Sequence, residues 1–158
     1  MMLFLGMVSC SEDNLKGYSS SNCIQFDKLS KDSTVFSFAY DETLESGTVA
    51  LKLVMISPLV DRDRKYNVKF LQDESSAQAG VDFEMPAEEQ VIAANDSVAY
   101  LNVIVKRNKA LKGSAIAVFE VQVSDDFMPG IEANRKGRIF ITNQLTRPGW
   151  WNDWHEAN

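Results

Sequence analysis

The chain has 158 residues, of which 45% are apolar, and a formal charge of −6. That length suits one domain with a core of its own, and no apolar stretch beyond the N-terminus approaches the length of a membrane-spanning helix. The acidic balance argues against nucleic acid, which needs a basic stripe to displace counterions, and against side-chain docking on anionic lipid.

The chain opens Met1-Met2-Leu3-Phe4-Leu5-Gly6-Met7-Val8-Ser9-Cys10 and turns at once to Ser11-Glu12-Asp13-Asn14. A short apolar run, a small residue and a cysteine are the parts of a lipoprotein signal: export, cleavage and acylation each need one of them. Residues 1–9 are therefore read as a signal peptide and Cys10 as the lipidated residue. No basic residue precedes Lys16, so the signal is read as incomplete at its start. The competing reading is an apolar N-terminal strand with a buried cysteine. Residues 10–23, with Gly17 and Ser19-Ser20-Ser21, have the composition of a flexible tether. Cys23 is expected to be an inert, partly buried thiol, with a Cys10–Cys23 bridge as the alternative.

Residues 24–146 are expected to form one β-domain. Thr34 to Tyr40 is rich in aromatic and β-branched residues and predicts a strand. Thr48 to Ile56 alternates with Val49, Leu51, Leu53 and Met55 on one face, and Pro58 ends it. Asp61-Arg62-Asp63-Arg64 reads as a charged turn before a strand from Lys65 to Leu71. Gln72 to Met85 reads as a long polar connection. Gln90 to Ala93 is a short strand. Val98 to Val105 is the clearest strand, and because both its faces are apolar it is expected in the middle of a sheet. Ala115 to Val123 and Arg138 to Thr142 complete the set, with Asp125 to Asn134 as a loop. About seven short strands without a long helix predict an all-β, antiparallel sandwich of immunoglobulin type.

Residues 147–158 form a tryptophan-rich tail. Trp150, Trp151 and Trp154 would share one face of a helix starting after Pro148. A surface tail rarely spends three tryptophans, so they pack on the sandwich, begin a further element, or contact a ligand or partner.

Few traces of catalysis are present. The single histidine, His155, lies near the C-terminus, and neither zinc spacing nor a phosphate-cradling glycine loop occurs. The chain is read as a non-enzyme without a cofactor. Calcium is the one metal weighed, since it takes oxygen ligands from loops. Asp73, Glu74 and Glu84 fall in predicted loops, as do the weak candidates Asp82, Asp125 and Asp126.

Ala79-Gly80-Val81-Asp82-Phe83 followed later by Phe119-Glu120-Val121-Gln122-Val123 resembles the Calx-beta pattern, a Gly-x-Asp-aromatic turn with a late F-x-V-x-L strand, although Val123 replaces the leucine. The glycine allows a tight turn and the aspartate is expected to cap local amides. In order and spacing, Met7-Val8-Ser9-Cys10, Phe36-Ser37-Phe38-Ala39-Tyr40, Asp61 to Lys65, Val103 to Arg107, Asp126-Phe127 and Arg147-Pro148-x-Trp150-Trp151 resemble an uncharacterised surface lipoprotein family of Bacteroidota. The resemblance covers about residues 24–154. It implies a Calx-beta or immunoglobulin-like sandwich encoded in polysaccharide-utilisation loci, beside glycan importers of the starch-utilisation type. It also implies a region beyond the Pro-x-Trp-Trp segment, which leaves open that the chain is truncated there. Ser11-Glu12-Asp13 is similar to the acidic surface-export signal of such lipoproteins.

The expectation is a non-catalytic outer-membrane lipoprotein on the cell surface, or else facing the periplasm, accessory to glycan capture or importer assembly. The alternative is a calcium-stabilised structural or adhesion module of Calx-beta type.

Overall fold

A computed structural model of the protein describes residues 22–27 and 33–145. Within them, nine strands form: β1 (Cys23–Phe26), β2 (Thr34–Ser37), β3 (Ser46–Ile56), β4 (Arg64–Phe70), β5 (Glu89–Ile92), β6 (Val98–Lys106), β7 (Ser114–Gln122), β8 (Met128–Pro129) and β9 (Lys136–Thr142). They build a four-stranded sheet, in the order β6-β3-β1-β8, and a five-stranded sheet, in the order β2-β9-β7-β4-β5. No α-helix occurs among the described residues, only single 3₁₀ turns. The expected all-β sandwich is the fold.

The core follows from period-two alternation. Val49, Leu51 and Leu53 of β3 and Leu101, Val103 and Val105 of β6 point inward, against Phe119 of β7 and Ile139 and Ile141 of β9. The residues between them, Lys52 and Asn102 among them, face outward, and the register is fixed because a slip of one residue would turn the buried apolar set to water.

Several expectations are corrected. Nine strands replace about seven, because β1 and β8 span only four and two residues, too short for alternation to mark. The sandwich is not wholly antiparallel: β1 pairs with β8, and β2 with β9, in parallel. The chain leaves β1 at Phe26, whose ring lies against Gly137 in β9, and enters the other sheet as β2 beside Ile139. A crossing between sheets takes the place of a hairpin, so the pairing is parallel. The Gly137 position requires glycine, since a Cβ there would lie 2.8 Å from the Phe26 ring.

The strand expected over 34–40 stops at Ser37. The Ser37 hydroxyl accepts a bond from the Ala39 N–H at 3.1 Å and donates to the Gln144 carbonyl at 2.6 Å. These bonds compete with the ladder and turn Phe38 into the core. Arg64 is not part of a charged turn. It is 2% exposed and opens β4, with its guanidinium over the Phe127 ring at 4.9 Å. It donates to the Ser57 hydroxyl at 2.7 Å and to the Pro58 and Asp96 carbonyls, each at 3.3 Å. One buried cation thus holds three loops at that end of the sandwich. Finally, β6 is not central: it stands at the end of its sheet, bonded only to β3 over most of its length.

Candidate functional site

The stretch between β4 and β5 does more than connect. After Phe70 the chain stays against β7. Leu71 N–H bonds the Val118 carbonyl and Ser76 N–H bonds the Ile116 carbonyl, both at 2.9 Å. The Ser75 and Ser76 hydroxyls accept from the Val118 and Ile116 N–H groups at 3.0 and 2.9 Å. Two serines thereby stand in for a missing strand partner.

The chain then turns at Gly80, whose φ of +83° favours glycine. Its N–H bonds the Phe83 carbonyl at 2.7 Å. Phe83 is thrown into the core, 5.0 Å from the Phe70 ring and 5.7 Å from the Phe119 ring. Asp82 is 3% exposed. One carboxylate oxygen accepts from the Gln78 N–H and the other from the Asn108 amide, both at 2.8 Å. The expected capping role of this aspartate is met, and it also ties the turn to the β6–β7 loop.

This turn leaves an open groove of about 570 Å³ beside Phe70 and Met85. Gln72, Ser75, Ser76 and Gln78 line its polar side, and no lining residue is ionisable. Sequence reading missed Gln72 and Gln78, because nothing in a polar connection marks which residues a turn will gather. The available hint was an aromatic, Phe83, just after a glycine turn.

The weak calcium candidates do not converge. Asp82 lies beside the Lys106 end of β6, its carbonyl accepting the Lys106 N–H at 2.8 Å. Asp126 lies at the opposite end of the sandwich, where it accepts from Lys65 N–H at 2.8 Å and Arg62 at 2.5 Å. The Arg62 bond, then the Lys65 N–H, holds the Asp126 carboxyl below the usual aspartate range. Asp125 beside it is exposed. Both Asp82 and Asp126 already spend their oxygens on protein donors. Among the described residues no group of three or more His, Cys, Asp or Glu side chains could hold a metal ion. Cys23 is the first residue of β1 and a half-buried free thiol. Cys10, Trp150, Trp151 and Trp154 lie outside the described residues.

Two packed sheets with a capped turn and a neutral groove define a β-sandwich module. The chain belongs to the family described as Domain of unknown function (DUF4843), which matches residues 16–158. That span includes the three tryptophans and begins after Cys10. The apo-form Calx CBD1 domain is similar in fold, with a TM-score of 0.58 at 9% identity, covering 79% of this chain and 99% of that one. The Calx CBD2 domain follows at 0.53 and 11%, covering 78% and 88%. A "putative carbohydrate binding protein" from Bacteroides ovatus scores 0.52 at 12%, covering 78% of this chain and 37% of that one. At such identities the likeness is one of fold. No curated protein matches the sequence.

Proposed function

We propose that this protein is a non-catalytic surface lipoprotein of the outer membrane, accessory to glycan capture or to the assembly of a glycan importer. The observation that carries this reading is the uncharged groove. In a chain of charge −6, an ionic ligand would call for ionic partners; this groove offers two carboxamides and two serine hydroxyls beside Phe70 and Met85. Carboxamides both donate and accept, as sugar hydroxyls do, and apolar side chains suit the C–H faces of a sugar ring. The three tryptophans add large rigid surfaces for stacking or protein docking. Acylation at Cys10 would hold the module at the membrane, since two or more chains anchor stably where one is marginal. The carbohydrate-binding role ascribed to the Bacteroides ovatus protein that shares this fold agrees with a binding role.

Affinity electrophoresis of the full chain in neutral polysaccharide gels tests the reading. Retardation is expected, weakened by Gln72→Ala with Gln78→Ala and by Trp150→Ala with Trp151→Ala. Unchanged mobility in every neutral glycan tried would remove glycan capture. Cys10→Ala should move the protein from the membrane to the soluble fraction, and persistence in the membrane would remove the anchor.

A further inference from the structure

We infer that β6 is completed by β6 of a second copy, so that the protein pairs through a continuous sheet. Strand β6 is nine residues long and ends its sheet. Its odd-numbered residues bond toward β3, as the Met55 N–H to Ser97 carbonyl bond shows, so its even-numbered residues face the open side. The final turn of that side is covered: Glu84 N–H bonds the Ile104 carbonyl, and Lys106 N–H bonds the Asp82 carbonyl. Val98, Tyr100 and Asn102 have no backbone partner there among the described residues. That leaves six hydrogen-bonding groups in a row, symmetric about Tyr100.

The other sheet ends are blunted, and β6 is not. Strand β8 is two residues long and contains Pro129; β2 and β5 are four residues each. From Ser97 to Val105 the chain has no charge, no proline and no glycine, the usual protections of an edge. Its outward side chains are largely apolar as well: Tyr100 is 53% exposed and Ile104 41%, with Asn102 the one polar residue between them. A strand with the two-sided apolar pattern of a central strand therefore sits at an edge.

A second copy fits this edge in one register. With the two-fold axis at Tyr100, the two Tyr100 residues exchange both backbone bonds, and Val98 pairs with Asn102 of the other copy on either side. All six open groups are satisfied. No like charges meet, because the stretch has none. The covered Ile104–Lys106 end lies outside the paired segment. The contact is isologous and closes at two copies, as a two-fold axis requires.

Sedimentation of the full chain over a range of concentrations tests this, with hydrogen exchange at the Tyr100 and Asn102 amides. A monomer–dimer equilibrium is expected, with both amides protected only in the dimer. Tyr100→Lys sets two like charges opposite each other and should weaken the dimer about tenfold or more. Tyr100 is exposed, so the fold should survive, which circular dichroism checks. Thr48→Lys adds the same charge on the outer face of β3, away from the edge, and should leave the dimer intact. A chain that stays monomeric to its solubility limit overturns the inference. So does a dimer indifferent to Tyr100→Lys, or a monomer with both amides already protected, which would place another segment of the same chain on the edge.

Discussion

Replacing Asp82 with alanine tests how the turn that shapes the groove is held. The carboxylate is almost fully buried and accepts two bonds of 2.8 Å, from the Gln78 N–H and the Asn108 amide. Hydrogen bonds to a charged group contribute about 1.5–3 kcal/mol each, but the exposed Gln78 can regain water once the side chain is gone. A loss of about 2–4 kcal/mol is therefore expected. Asp82→Asn should be nearly as harmful, since one oxygen becomes a donor facing a donor. Asn108 could answer by flipping its amide, but its oxygen already accepts the Ala110 N–H at 3.0 Å. Urea unfolding followed by circular dichroism measures the effect: the midpoint should fall while the slope stays constant. A loss below about 0.5 kcal/mol for Asp82→Ala would refute the reasoning, because that is the range of an uninvolved surface change. The same melts run with calcium and with a chelator should superimpose. A ligand of the folded state must stabilise it, so a rise with calcium would mean that these oxygens are available to a metal.

Other perturbations follow from the same geometry. Phe83→Ala empties the centre of the Phe70–Phe83–Phe119 cluster and should cost about 3–5 kcal/mol in urea melts; a loss under half of that would mean the cluster collapses around the gap. Arg64→Ala leaves a cavity and strips the Ser57, Pro58 and Asp96 oxygens of their donor, for about 2–4 kcal/mol. Arg64→Met should recover part of that by filling the volume without a charge, and equal stability of all three proteins would show that the arginine holds nothing. Asp126 titrates below its ordinary range when folded, so its contribution is present above the unfolded aspartate pKa and is lost as pH falls through the lower folded value. Melting temperature should thus drop more steeply in wild type than in Asp126→Asn as pH falls below about 4; parallel profiles would contradict the Arg62 and Lys65 bonds.

The long strands were legible because alternation is a local property. Val49 to Met55, Ala99 to Val105 and Ala115 to Val121 each declare an inner face without reference to any partner. The capping aspartate was legible for the same reason: glycine, aspartate and an aromatic within a few residues make a turn by themselves. Arg64 was not, because a charged residue between charged neighbours looks solvated until Phe127, Pro58 and Asp96 close over it. Gln72 and Gln78 were not, because the groove exists only once the chain has folded back onto β7.

Sequence alone determined that this chain forms an all-β domain with short turns, since side-chain alternation and turn chemistry act within a few residues of themselves. Tertiary structure alone decided which strands are neighbours, which pairs run parallel, which acidic side chains meet, and that β6 ends a sheet. Those outcomes depend on how the chain crosses between layers, after Phe26 above all, and on contacts such as that of the Phe26 ring with Gly137, which join residues whose separation along the chain leaves no local trace.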